Sequence, residues 1–303
     1  RCKMLLHKDK NLFEQTIFQV AQRSGIESGI IEKDYYVSLL LKELSQTLPS
    51  MIFKGGTSLS KCHKVIKRFS EDIDITLDEN HLSQGNRKSV KTAIVNACEK
   101  LGFSISNLDD IKSRKDFNHY KIEYSGLFMI DGLKPDIEID TIFSIRSFPY
   151  EQKMATSIIY DYLHEMGLDE FIDTYELLPY PVNTQSIDRT FIDKVFALCD
   201  YYLEGKTKER SRHLYDIYKL YPLLSDYDAI RALAKETRDA RLNSPFCESA
   251  NSTKDINVLL QEIIDKEYYR IDYKENTSVL VYDKISYDEA VSVIPKIIEQ
   301  HLF

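Results

Sequence analysis

The sequence predicts an α/β (α+β) fold: a small mixed sheet with flanking helices in the N-terminal half, followed by a mostly helical C-terminal half. Three observations predict it. Residues 51–77 read as strand, glycine turn, helix, strand: Met51, Ile52 and Phe53 are a short apolar run, Gly55 and Gly56 permit a turn, and Asp72 and Asp74 alternate with Ile73, Ile75 and Leu77. Residues 135–143 repeat that alternation, with Asp136, Glu138 and Asp140 set between isoleucines. From about Tyr150 the pattern changes; Pro149, Pro179 and Pro181 punctuate the chain and helical segments dominate. The 303 residues suit one large domain or two modest ones, and the expected division is 1–148 and 149–303.

Residues 11–22 and 30–44 read as amphipathic helices, the first with Leu12, Phe13, Ile17, Phe18 and Val20 on its apolar stripe, the second with Tyr36, Val37, Leu39 to Leu41 and Leu44. Ser24-Gly25 and Ser28-Gly29 punctuate between them. Glu32-Lys33-Asp34-Tyr35 reads as a support rather than as chemistry, the plainer alternative being surface charge. After the glycines, a helix is expected to carry Lys61, Lys64, Lys67 and Arg68. A polar loop follows at 78–87, then a helix over 88–101 that buries Val90, Ile94, Ala97 and Leu101 and ends at Gly102. Strands are expected near 103–106, 119–124 and 135–143, with Tyr120, Ile122 and Tyr124 on one face and loops carrying Asp109, Asp110 and Asp131-Gly132. The second half reads as a helix over 151–166, an extended stretch over 175–187, and a helix over 188–203 with Asp188 as its cap. Helices at 226–241 and 253–268, a short strand at 278–282 and a last helix over 287–301 complete it. Ser286 and Glu289 offer that last helix a capping box.

Residues two apart in a strand share a face, so Asp72 and Asp74 stand side by side. Like charges that close repel unless a cation sits between them. Mg²⁺ takes a few carboxylates together with nucleotide phosphates. The glycine turn presents backbone N–H groups, and Thr57 and Ser58 suit a helix N-terminus, itself a phosphate-binding device. Together these features imply a metal–nucleotide site. Asp136, Glu138 and Asp140 also share a face, and metal-dependent nucleotidyl transfer calls for a third carboxylate on a neighbouring strand; the alternative is an edge strand with one wet acidic face. The run G-G-T-S-L-S-K from Gly55 to Lys61 is not a P-loop: Ser60 replaces the second glycine, and Cys62 stands where a hydroxyl would hold Mg²⁺.

Composition narrows the setting. The net charge of −8 disfavours a general nucleic-acid binder, although basic residues cluster at 61–68 and 206–213. The five cysteines (Cys2, Cys62, Cys98, Cys199, Cys247) are scattered without a C-x-x-C, which argues against a disulfide framework or zinc site and fits a reducing cytoplasm. No apolar run approaches the roughly 20 residues of a membrane span, and no secretory leader is visible.

The segments Lys54 to Lys61 (KGGTSLSK) and Arg68 to Asp74 (RFSEDID) resemble the nucleotidyltransferase toxins of the AbiEii type, a branch of the DNA polymerase β-like superfamily. Two later elements resemble it too: Arg189-Thr190-Phe191 with Lys194, and Arg212 with Asp216-Ile217-Tyr218. The likeness spans about residues 30–222. It implies a nucleotidyltransferase-like fold and transfer of a nucleoside monophosphate from a nucleoside triphosphate (NTP), with pyrophosphate leaving, in a cleft between the two halves. By that likeness Asp72, Asp74 and Asp140 hold two Mg²⁺ ions, with Glu138 the next choice for the third carboxylate. Asp140 comes first because it precedes Thr141-Ile142-Phe143. Lys54, Gly55, Gly56, Thr57, Ser58, Lys61 and Ser70 form the nucleotide-binding set, Lys194 offsets charge on the phosphates, and Asp216 orients Lys194. The implied acceptor is RNA, in particular the tRNA acceptor end, beside a cognate antitoxin in phage defence, with neither membrane nor DNA involved. Nucleotidylation of a protein and a catalytically silent nucleotide-binding module stand as the alternatives.

Overall fold

Alternating apolar residues in four short segments of the N-terminal half zip into one side of a sheet, and the polar residues between them make up its other side. The structure, a computed structural model, describes residues 3–129, 134–144, 148–242 and 244–303; Cys2 and Asp131-Gly132 lie outside them. The chain forms two compact units, one made of Arg1–Cys62 and Ser70–Thr184, the other of His63–Phe69 and Gln185–Phe303.

The first unit opens with helices α1 (Lys10–Ser24) and α2 (Ser28–Thr47). The Asp9 carboxylate accepts from the Leu12 amide at 3.1 Å, and Gly25, at φ +72°, ends α1 in the left-handed region. Next come β1 (Met51–Lys54), α3 (Gly55–Lys61), β2 (Ile73–Leu77), α4 (Gln84–Leu101), β3 (Ser104–Ile105), β4 (Phe117–Glu123), β5 (Ile137–Ile142), β6 (Tyr150–Ala155), α5 (Ile158–Glu165), α6 (Asp169–Thr174) and β7 (Tyr180–Gln185). The seven strands form one mixed sheet in the order β3-β4-β5-β2-β1-β7-β6, which bears out the α/β reading. β2 lies antiparallel to β1 and parallel to β5, while β4 runs antiparallel to β5. Ile73, Ile75 and Leu77, Ile137 and Ile139, and Tyr120 and Ile122 are all buried in the core that also takes Leu40, Leu44, Ile94 and Leu101 from α2 and α4. Burying each such side chain is worth about 1.5–3 kcal/mol, so this face fixes the register of the strands.

The second unit is helical: α7 (Ile187–Leu203), α8 (Arg212–Leu220), α9 (Tyr227–Arg241), α10 (Ile256–Asp265), the short α11 (Arg270–Asp272), α12 (Tyr287–Val291) and α13 (Ile294–Glu299). The segment 63–69 is stitched into it. Lys67 O accepts from the Tyr282 amide at 2.7 Å, the Phe69 amide donates to Leu280 O at 3.0 Å, and the Lys67 amide donates to the Tyr215 hydroxyl at 2.9 Å. Among the described residues no helix is long and apolar enough to cross a membrane.

Several elements differ from expectation. Residues 151–166 are not one helix; the chain forms β6 and then α5, which Ser157 starts by accepting from the Tyr160 amide at 3.0 Å. Sheet pairing there outweighs the helical propensity of Glu151-Gln152-Lys153-Met154-Ala155. The helix after the glycines stops at Lys61, and Lys64, at φ +58°, turns the chain away, so Lys64, Lys67 and Arg68 are not helical. The run 278–282 makes a single bridge, Val281 to Arg68, instead of a strand. The cap of α7 is Ser186, two residues ahead of the expected Asp188, and it accepts from the Arg189 amide at 3.2 Å. The last helix is two: the capping box at Ser286 and Glu289 forms as expected, but Pro295, which has no N–H to give, starts α13 afresh.

Candidate active site

Strand register brings four ionisable residues into one row. Lys54 on β1 stands opposite Asp74 on β2, Asp74 opposite Asp140 on β5, and Asp140 opposite His119 on β4. Directly opposite residues share a face of the sheet, so the row lies on the side away from the isoleucines.

Gly55 follows the row's first member. At φ +78° it adopts a conformation that glycine tolerates, and a Cβ placed there would lie 2.1 Å from Asp74 Oδ2. The glycine is required because its backbone presses against the Asp74 carboxyl. Gly56, Thr57 and Ser58 continue into α3. All three are part of the first turn; Ser58 Oγ donates back to Gly55 O at 2.8 Å, and Thr57 Oγ1 pairs with Ser70 Oγ at 2.9 Å, tying the turn to the chain just before Asp72. Ser70 thus touches the glycine turn directly.

Lys61, at the end of α3, is only 2% exposed. Its ammonium is bonded to the Asp34 carboxylate and to Ser38 Oγ, the latter at 2.7 Å, while Asp34 Oδ2 also accepts from the Ile158 amide at 2.7 Å. The neighbouring charges of α2 are equally engaged. Lys33 pairs with Glu71 and donates to Lys134 O at 2.7 Å, and Glu32 accepts from the amides of Leu127 and Phe128 at 2.7 and 2.9 Å. Glu32-Lys33-Asp34 is therefore a buried brace behind the glycine turn and the acidic strand, not a patch of surface charge. Burial pushes the Glu71 carboxyl up, against the opposing pull of Lys33.

The two candidates for the third carboxylate differ in surroundings. Glu138 is buried and accepts from the Lys134 ammonium at 2.6 Å. The Asp140 side chain is 30% exposed, lines up with Asp74 and meets His119 Nδ1 at 2.6 Å. Burial, and then the charges of Asp72 and Glu138, push the Asp140 carboxyl up, with His119 opposing them. Asp136 lies just ahead of β5.

In the second unit, Asp216 on α8 is fully buried. Arg68 grips it with both arms, Nε to Oδ1 at 2.7 Å and Nη2 to Oδ2 at 2.8 Å, and Lys194 Nζ on α7 stands 2.9 Å from Oδ2. Burial alone would push the Asp216 carboxyl up; Arg68, and then Lys194, outweigh it and hold the carboxyl well below the ordinary range. One carboxylate, ionised at neutral pH, thus fixes two cations, and it does so from a position solvent does not reach.

A family model described as the nucleotidyl transferase AbiEii toxin of a type IV toxin–antitoxin system matches residues 39–293. This chain belongs to the AbiEii family. No curated protein matches it. As an AbiEii protein it is a nucleotidyltransferase of a family that belongs to type IV toxin–antitoxin systems. The match takes in the glycine turn, β2, β5 and the Arg68–Asp216–Lys194 cluster. Sequence reasoning passed over His119 in this AbiEii chain; its signal is that β4 alternates, so His119 and Lys121 face away from the buried Tyr120 and Ile122.

By donor chemistry alone, the acidic side chains present would suit a divalent cation. The donor set of Asp72, Asp74 and Asp140 is all carboxylate oxygen, which suits Mg²⁺. Among the described residues no group of three or more His, Cys, Asp or Glu side chains is placed so that it could hold a metal ion by itself. A cation here would share its ligands with phosphate and water, the mode Mg²⁺ prefers.

Proposed function

We propose that this protein transfers a nucleoside monophosphate from an NTP to an RNA acceptor, the tRNA acceptor end in particular, as the Mg²⁺-dependent toxin of a phage-defence pair acting in the cytoplasm beside a cognate antitoxin. The observation that carries the reading is the row Lys54–Asp74–Asp140, with Gly55 pressed against Asp74, in a chain of the AbiEii family.

The residues divide the work as follows. Asp72, Asp74 and Asp140 supply the carboxylates for the cation, with Glu138 beside them and engaged by Lys134. When bound, Mg²⁺ neutralises phosphate charge and lowers the pKa of the attacking hydroxyl. Gly55, Gly56, Thr57 and Ser58 offer backbone N–H groups to phosphate, the Thr57 and Ser58 hydroxyls bracing the turn through Ser70 and Gly55, and Lys54 adds positive charge at the end of the row. Ser70 and Lys61 hold that turn in place through Thr57 and Asp34. Lys194 offsets charge that develops on the transferred group, and Asp216, locked by Arg68, aims it. The net charge of −8 favours a second reading, in which the acceptor is a protein such as the antitoxin.

Incubation of the purified chain with each radiolabelled NTP, Mg²⁺ and either total tRNA or cell lysate tests this. Label in RNA is the expected result, and label in protein alone would replace the acceptor. Asp72→Ala and Lys194→Ala should each abolish transfer with folding intact by circular dichroism; survival of activity in both would overturn the site.

A further inference from the structure

His119 faces two carboxylates of β5, Asp140 within the row and Glu138 beside it, from a strand that nothing else links to chemistry. Its Nδ1 lies 2.6 Å from Asp140 Oδ1 and its Nε2 lies 3.4 Å from Glu138 Oε1. With Asp140 ionised its carboxylate only accepts, and the short contact is then an Nδ1–H donating to Asp140. The pair is set by register, His119 directly opposite Asp140 across β4 and β5. Both side chains are 30% exposed, so the contact sits at the mouth of the row and not in the core.

We propose that His119 is a positioning residue: it holds Asp140 by Oδ1, leaves Oδ2 for the cation, and, together with Lys134 on Glu138, makes Asp140 the third ligand. This rests on the reading of the carboxylate row given above. A bare cross-strand pair would steady the sheet and do nothing else. A group that orients a ligand acts on the ligand's affinity, and losing such a partner typically weakens metal binding by about 10–100-fold.

The test reads metal binding directly. Mn²⁺ is titrated by electron paramagnetic resonance onto the full chain in the presence of a non-hydrolysable α,β-methylene NTP analogue. His119→Ala should weaken Mn²⁺ about 10–100-fold while its thermal midpoint stays near that of the parent. His119→Asn, whose side-chain N–H branches where Nδ1 does, should restore affinity to within a few fold; His119→Gln, which carries its N–H one atom further out, should not. Asp140→Asn is the reference variant. If it weakens Mn²⁺ and His119→Ala does not, or if Asn binds as weakly as Ala, the role of His119 is refuted and the carboxylate row stands. If Asp140→Asn itself leaves Mn²⁺ affinity unchanged, the row falls and this inference falls with it.

Discussion

Replacing Gly55 by alanine probes the point where backbone and chemistry meet. The new Cβ would start 2.1 Å from Asp74 Oδ2 and 3.0 Å from its Cγ, and contacts under 3.0 Å essentially never occur, so the carboxyl must retreat by about an ångström. The left-handed φ of +78° costs an alanine about 1–2 kcal/mol, and pushing Asp74 off its rotamer adds about 0.5–1.5 kcal/mol. Gly102 provides the control. It has φ +75° with nothing within 4 Å of a built Cβ, so Gly102→Ala pays the backbone cost alone. Urea unfolding should therefore place Gly55→Ala about 0.5–1.5 kcal/mol below Gly102→Ala. Nucleotide transfer should separate them far more: if Asp74 holds the cation as proposed, a displacement of that size lowers the rate by about 10²-fold, whereas Gly102→Ala should transfer like the parent. Equal rates in the two variants would refute the claim that Gly55 is glycine to make room for Asp74.

Two further predictions concern charge. Asp216→Asn leaves Arg68 and Lys194 buried without their shared anion and should destabilise the protein by about 3–5 kcal/mol in urea at pH 7. The carboxyl is held below its ordinary range, so its contribution is full above about pH 4 and is lost as pH falls below that; the Asn variant should lack that part of the acid limb when midpoints at pH 7 and pH 3 are compared. His7 is the opposite type of group. Burial, and then Lys8, lower its imidazole to about 4, so the folded protein binds it neutral while the unfolded chain takes up the proton from about pH 6.5 downward. Stability should fall as pH drops from about 6.5 to about 4, and His7→Asn should flatten the thermal midpoint over that window.

The acidic strands were legible in the sequence because period-two alternation with isoleucine is a strong local signal and burial then dictates the face. The choice between Glu138 and Asp140 was not, since alternation assigns both to one face. Only the parallel register of β2 on β5 aligns Asp140 with Asp74, while Lys134 engages Glu138 at 2.6 Å. His119 was missed for the same reason: its meaning comes from a partner 21 residues away across a ladder. The β6 segment misled because Glu, Gln, Lys, Met and Ala favour helices, whereas pairing at the edge of a sheet is decided by β7, about 30 residues downstream. Arg68 read as one more cation on a helix; the turn at Lys64 sends it instead to a carboxylate 148 residues later.

The short excursion His63–Phe69 has a consequence for how this toxin can be divided or inherited. Seven residues encoded between the glycine turn and the acidic strand supply the guanidinium that the helical unit keeps dry. A gene truncated after Thr184 would strand that guanidinium without its acceptor, and a fragment beginning at Gln185 would carry Asp216 and Lys194 without it. Joining either half to a partner half that lacks the matching Arg or Asp would leave a buried charge without its counterion.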